Sequence, residues 1–152
     1  KTEIQHMADS KAKGNRGEAL VRTELRNRTG LNFEKTPQSG ASFVEGLKGD
    51  LYLPNQRNKF TIEVKNYAED GFGSHLLEGK GDFLRWWEQC VSAARVNKNT
   101  PMVIYRWNRS KMYCALPSDV PTAVYNKIVT PHCSIYLLSD LNLKQLFEVS
   151  NV

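Results

Sequence analysis

The run Phe60-Thr61-Ile62-Glu63-Val64-Lys65 alternates apolar and polar residues, the period of a β-strand. Ile62 and Val64 share one face of that strand, and Glu63 and Lys65 share the other. Gly49 opens a second strand-like run, Asp50-Leu51-Tyr52-Leu53, and residues 54–58 read as a turn, so the two runs predict a hairpin that brings Asp50 beside Glu63 and Lys65. Upstream, Leu20, Val21 and Leu25 form an apolar stripe at helical spacing, predicting a helix over residues 10–28 that Gly30 terminates. Residues 1–9 are polar and expected to fray, and residues 32–36 form a short strand. Phe83, Trp86, Trp87, Cys90, Val91 and Ala94 recur at helical spacing over residues 82–96, with Asp82 as N-cap. Trp86 and Trp87 point about 100° apart on a helix, which suggests a second contact surface. Residues 101–107 read as a buried strand, 111–116 as its hairpin partner and 133–138 as one more strand. A closing helix begins at Ser139 or Asp140 and ends near Phe147. The order is α/β: a single domain over residues 1–152, with a central mixed sheet flanked by helices.

Composition changes this picture little. The 152 residues suffice for one core, and no apolar run approaches the roughly 20 residues of a membrane span. Cys90, Cys114 and Cys133 are odd in number and far apart, which favours reduced thiols over disulfides or a zinc knuckle. Three reduced thiols fit the expected cytoplasmic location, in a prokaryotic, archaeal or viral setting.

The distribution of charge says more than the net +5. Residues 1–35 carry eight Lys/Arg against five acids, and residues 85–111 carry six against Glu88 alone; acids prevail between them, seven to five. Basic flanks around an acidic centre suit a protein that grips phosphates and cuts one. The acidic centre holds the informative chemistry. Asp50 and Glu63 offer the hard oxygen ligands that Mg²⁺ takes, and Lys65 beside them can orient a water and stabilise charge on phosphorus. Glu18 lies at the edge of the first helix's apolar stripe and would point toward whatever that helix packs on; Glu24 competes for the same description. The small polar loop 37–42, with Ser39 and Ser42, can approach a phosphate closely. Residues 67–81 hold Gly71, Gly73, Gly79 and Gly81, predicting a mobile loop in which Lys80, and secondarily His75, could reach DNA.

The stretches Gly14-Asn15-Arg16-Gly17-Glu18, Gly49-Asp50-Leu51 and Ile62-Glu63-Val64-Lys65, in this order and spacing, resemble the PD-(D/E)xK nuclease superfamily. Within it they are most similar to the archaeal-type Holliday junction resolvases, over about residues 13–107. The resemblance implies a restriction-endonuclease-like core in α-βββ-α-β order and a metal-dependent, structure-selective DNA endonuclease acting as a two-fold homodimer on four-way junctions. It assigns Asp50 and Glu63 to Mg²⁺ (Mn²⁺ substituting), with the Val64 carbonyl as a further ligand, and Lys65 to water activation. It assigns Glu18 to the metal directly or through water. Lys13, Arg16, Ser39, Ser42 and Gln89 become DNA contacts. No membrane and no small-molecule cofactor is implied. Apolar surface on the Trp86/Trp87 helix or on the 137–147 tail would supply the dimer interface. The longer loop through residues 42–46 and the missing proline before Asp50 depart from the family pattern.

The alternatives are another endonuclease or exonuclease of the same superfamily, of restriction or repair type, and a non-catalytic basic nucleic-acid-binding module in which Glu63 and Lys65 are only a salt bridge. Replacing Gly71 to Gly79 by a few residues tests the loop: fold and metal binding are expected to persist while the preference for a four-way junction over duplex collapses. The measurement is the junction-to-duplex affinity ratio at fixed salt, and an unchanged ratio removes the loop from selectivity.

Overall fold

The computed structural model describes residues 3–37, 47–67, 76, 78–107 and 109–148. Its elements are α1 (Glu3–Thr29), β1 (Glu34–Lys35), β2 (Leu51–Tyr52), β3 (Phe60–Tyr67), α2 (Asp82–Asn97), β4 (Thr100–Trp107), β5 (Tyr113–Leu116), β6 (Lys127–Val129), β7 (Ser134–Leu137) and α3 (Leu143–Phe147). A 3₁₀ turn, Leu138–Asp140, leads into α3. Among the described residues, seven strands form a mixed sheet in the order β1-β2-β3-β4-β5-β7-β6. Of these, only β3 and β4 pair in parallel, in register from Phe60 opposite Thr100 to Tyr67 opposite Trp107. Parallel neighbours need a long crossover, and α2 supplies it.

The alternation read from the sequence becomes two cores, one on each face of the sheet. Phe60, Ile62, Met102 and Ile104 turn toward α1 and α3, where Val21, Leu25, Leu143 and Phe147 cover them. Phe147 packs edge-on against Phe33 and Phe60, at centroid distances of 5.0 and 5.4 Å. Val103, Tyr105, Ala115 and Ile135 turn the other way, beneath Phe83, Trp86, Trp87 and Cys90 of α2. The predicted α/β class and the layered order of elements are therefore what the chain adopts.

Several details differ from the sequence reading. Backbone helix runs from Glu3, through the stretch expected to fray, rather than starting at residue 10. The stripe that α1 buries is Gly17, Val21, Leu25 and Thr29, at a strict spacing of four, and Leu20 is 48% exposed. Gly81, not Asp82, caps α2; Asp82 is its first residue and pairs with Arg85 one turn on. Asn142 caps α3, its side chain accepting from the Gln145 N–H at 3.1 Å, so the closing helix starts later than Ser139. The unpredicted β6 is fully exposed, and a strand with no buried face carries no alternation to read. Trp86 and Trp87 are both buried, as are Leu138, Leu141, Leu143 and Phe147. The two surfaces expected to form a dimer interface are thus spent on the chain's own cores.

Helix α1 comes closest to the sheet at Gly17, where an added methyl would lie 2.5 Å from the Asn66 Cβ. Gly17→Ala therefore sets about 1 kcal/mol of helix propensity gained against a steric clash. The clash should win, lowering stability by roughly 1–3 kcal/mol in a denaturant titration. A stabilised variant would mean that α1 is free to lift off β3.

Candidate functional site

Gly49 and Asp50 enter the sheet under tight constraint. Gly49 has φ 100°, and a Cβ there would sit 3.1 Å from both the Ile62 carbonyl oxygen and Thr61 Cγ2, so conformation and space each demand glycine. Asp50 N–H donates to the Ile62 carbonyl at 2.7 Å, and its own carbonyl accepts from the Thr36 N–H at 2.9 Å. Its carboxylate Oδ2 accepts from the Val64 N–H at 2.7 Å. The last bond explains why β2 stops pairing with β3 after Leu51 and Ile62. A side chain, rather than a neighbouring strand, satisfies the next available donor of β3, and the two chains diverge there. The site lies in that divergence.

Glu63 and Lys65 stand on the α2 side of β3, opposite Val103 and Tyr105 of β4. Both are half-buried. Burial pushes the Glu63 carboxyl up to about 8; the negative charge of Asp50 and a hydrogen bond between the two carboxyl groups add to the rise. Lys65 opposes it, and Glu18 adds a smaller contribution in the same direction as Asp50. The Glu18 carboxyl is raised first by burial and then by Asp50, with Lys35 and Arg22 pulling it back. A crevice of about 100 Å³ lined by Glu18, Ala19, Arg22, Lys35 and Leu51 lies on this side. Glu18 therefore belongs to the same electrostatic group as Asp50 and Glu63. Glu24 instead lines a separate 390 Å³ groove with Arg106, Lys111 and Met112.

The remaining candidates are placed as follows. Val64 is half-buried, and Arg16 is exposed on α1. Lys13 lies in the α1 backbone helix. Lys80 is exposed and sits 3.8 Å from Glu78. Gln89 is exposed on α2 and, among the described residues, makes no hydrogen bond to the carboxylates. Cys90 takes the inward position beneath β3, its Sγ 3.4 Å from the Thr61 carbonyl. Burial, and then the charge of Glu63, push the Cys90 thiol up to about 12, so it is an inert neighbour rather than a nucleophile. Ser39, Ser42, His75 and most of the 67–81 loop lie outside the described residues. The sequence reading missed Lys35 and Arg22. Lys35 ends a two-residue strand with Glu34, too short a pattern to single it out.

Among the described residues, no three His, Cys, Asp or Glu side chains converge closely enough to enclose a metal ion by themselves. The donor set still fits a hard divalent cation that keeps several waters. Two carboxylates in contact, one held toward its protonated form first by burial and then by the charge of the other, form a site that a dication would relieve. Asp50 and Glu63 would hold such an ion, with the Val64 carbonyl as a further oxygen and Glu18 in reach through water.

Residues 9–149 match the family model described as "Phage putative PDDEXK endonuclease". The chain is 42% identical over 118 residues to Protein D14 of Escherichia phage T5, covering 74% of each chain. Among solved structures it is similar to Archaeoglobus fulgidus Hjc, a Holliday junction resolvase from an archaeal hyperthermophile. That likeness has TM-score 0.46 and 19% identity over 88% of this chain and 98% of that one.

The Glu63 carboxyl has a testable consequence. Its folded-state pKa of about 8 lies above the ordinary 4.5, so the metal-free protein loses stability as pH rises from 4.5 toward 8, while the unfolded chain ionises this group and the folded chain resists. Glu63→Gln removes that cost and keeps an N–H donor for Asp50. Without metal it should be more stable than the unsubstituted protein by up to about 3 kcal/mol at pH 7, with the gain vanishing near pH 4. Paired thermal melts in EDTA across that range check it, and a destabilised variant at pH 7 refutes it.

Proposed function

The chain belongs to the phage PDDEXK endonuclease family, and from that premise we propose that it is a Mg²⁺-dependent DNA endonuclease that nicks four-way junctions symmetrically as a homodimer. One observation carries the nuclease chemistry. The Asp50 carboxylate is seated on the β3 backbone at Val64, beside Glu63, with Lys65 the next residue on the same face as Glu63. Bound Mg²⁺ would neutralise charge on the phosphoryl oxygens and lower the pKa of an attacking water; Mn²⁺ is the expected substitute. Asp50, its carboxylate held by the Val64 N–H, and Glu63 would hold the ion. Lys65 would orient the attacking water and offset charge developing on phosphorus. Glu18, carried toward the site by α1, would hold a further water there.

The order and spacing of Gly14 to Glu18, Gly49-Asp50 and Ile62 to Lys65 support the junction-resolving form of this chemistry. A net charge of +5 supports a nucleic-acid substrate. Lys13, Arg16, Ser39, Ser42, His75, Lys80 and Gln89 are the proposed DNA contacts, and exposed Arg16 and Lys80 meet the requirement for access. A junction presents two equivalent strands, so symmetric nicking calls for two copies related by a two-fold axis. With Trp86 and Trp87 buried, the apolar residues left for such an interface include Tyr125, Ile128 and Val129 at edge strand β6. The described part of the chain has no helix long and apolar enough to cross a membrane, which accords with a cytoplasmic site of action.

The test is a labelled four-way junction and matched duplex, each with and without Mg²⁺. Paired nicks in the junction, dependent on Mg²⁺ and outcompeting duplex, are expected. Asp50→Asn and Glu63→Gln should abolish nicking by about three orders of magnitude while binding stays intact or tightens, since each removes negative charge beside phosphate. Near-normal nicking by either variant removes that residue from the site. Glu18→Gln should lower activity far more than Glu24→Gln, and equal effects would take Glu18 out of the metal shell.

A further inference from the structure

Asn97 is the last residue of α2, held there by Lys98, whose left-handed φ of 59° ends the helix. Its side chain ties together two distant stretches of chain. Oδ1 accepts from the Lys48 N–H at 2.9 Å; Nδ2 donates to the Lys48 carbonyl at 3.0 Å and to Thr61 Oγ1 at 2.7 Å. Thr61, itself 1% exposed, passes the connection on to Asn99, and Asn99 Nδ2 donates to the Asn58 carbonyl at 3.1 Å. Lys48 stands two residues before Asp50, and Thr61 two residues before Glu63 on the same strand and the same face. One amide therefore spans the two chains just upstream of the two carboxylates.

Gly49 makes this span consequential. It is the one residue between Lys48 and Asp50, and its backbone lies in the left-handed region that glycine enters and leaves at little cost. Downstream, the Asp50 N–H is bonded to Ile62. Upstream, Asn97 holds both main-chain polar groups of Lys48. With Lys48 held by Asn97, the chain enters the turn at Gly49 from a fixed point; with that hold removed, Asp50 is left to its bonds with Ile62, Thr36 and Val64.

We propose that Asn97 is a positioning residue that sets the Asp50–Glu63 gap, and with it the affinity of the site for a divalent cation, without touching cation or DNA. This rests on the metal-dependent nuclease reading above. Nothing in the local sequence announces it, because the partners are 49 and 36 residues away.

Mn²⁺ titration of the metal-free protein, followed by electron paramagnetic resonance without DNA, tests the proposal directly. Asn97→Ala should weaken Mn²⁺ binding by about tenfold, as loss of a group that orients a ligand does. Thr61→Val, which removes the hydroxyl's bonds to Asn97 and Asn99 and keeps both bonds of Asn97 to Lys48, should weaken it less. Hydrogen exchange at the Lys48 and Gly49 amides should accelerate in Asn97→Ala while the Val103 to Tyr105 amides of β4 stay protected. In nicking assays the Mg²⁺ concentration for half-maximal rate should rise by a similar factor, with the rate at saturating Mg²⁺ and the KM for DNA near normal. A purely structural role would lower the melting temperature and leave the metal midpoint unchanged, and that result overturns the proposal. If Asn97→Ala does not fold, an unchanged Mn²⁺ affinity in Thr61→Val overturns it instead. The Asp50→Asn variant separates the two ideas. Should it lose Mn²⁺ binding while Asn97→Ala binds normally, only the positioning role fails. Should Asp50→Asn bind Mn²⁺ as the unsubstituted protein does, the nuclease reading fails and takes this proposal with it.

Discussion

Much of the site depends on one hydrogen bond from backbone to side chain, Val64 N–H to the Asp50 carboxylate. It takes a donor that would otherwise extend the β2–β3 ladder and spends it on an acid. The pairing stops, the chains part, and a carboxylate is left at the point of parting, held by groups that are themselves fixed. A carboxylate accepting a main-chain N–H at 2.7 Å is well oriented, and orientation is what a metal site of only two protein carboxylates most needs. The bond depends in turn on Gly49, because no other residue fits beside Ile62 at that φ.

The arrangement is bought with stability. Glu63 is buried beside Asp50 and resists ionisation up to about pH 8, and Glu18 is shifted the same way by burial and by the same neighbour. A structural role would be served better by apolar residues of similar volume, since buried carboxyls that repel each other oppose folding. Their presence together, with Lys65 beside them, marks the region as selected for charge rather than for packing. The rest of the molecule compensates with two apolar cores, one under α1 and α3 and one under α2, so that the mixed sheet is covered on both faces where β3 and β4 cross its centre.

Helix α1 shows how fold and site are joined. Its buried stripe of Gly17, Val21, Leu25 and Thr29 docks it on the sheet, and the absence of a side chain at Gly17 lets it approach Asn66 of β3 closely. Glu18 follows directly and is carried toward Asp50 and Glu63. The C-terminal end of the helix is secured separately, by Arg28 donating to the Leu138 and Leu141 carbonyls at 2.7 and 2.5 Å. Docked at Gly17 and held at its C-terminal end, α1 carries Glu18 on continuous helix.

The amino-acid order alone determined the α/β class, the hairpin of Asp50 with the Glu63 strand, the termination of α1 at Gly30, and the Asp50, Glu63 and Lys65 of the proposed site. These are legible because strand and helix periods, turn residues and i, i+2 spacing are local properties of the chain. Tertiary structure decided everything that depended on distant partners. It buried Trp86 and Trp87 together, because β4 and β5 meet α2 over a wider face than helical spacing conveys, and it left Leu20 exposed beside the Gly17-to-Thr29 stripe of α1. It placed Glu18 within the field of Asp50 and Glu24 in a separate groove, and it turned Cys90 rather than Gln89 inward. It also brought Asn97 to Lys48, a contact across 49 residues for which no local pattern exists. Periodicity tells which way a side chain points from its own backbone; only the packed sheet determines what it meets there.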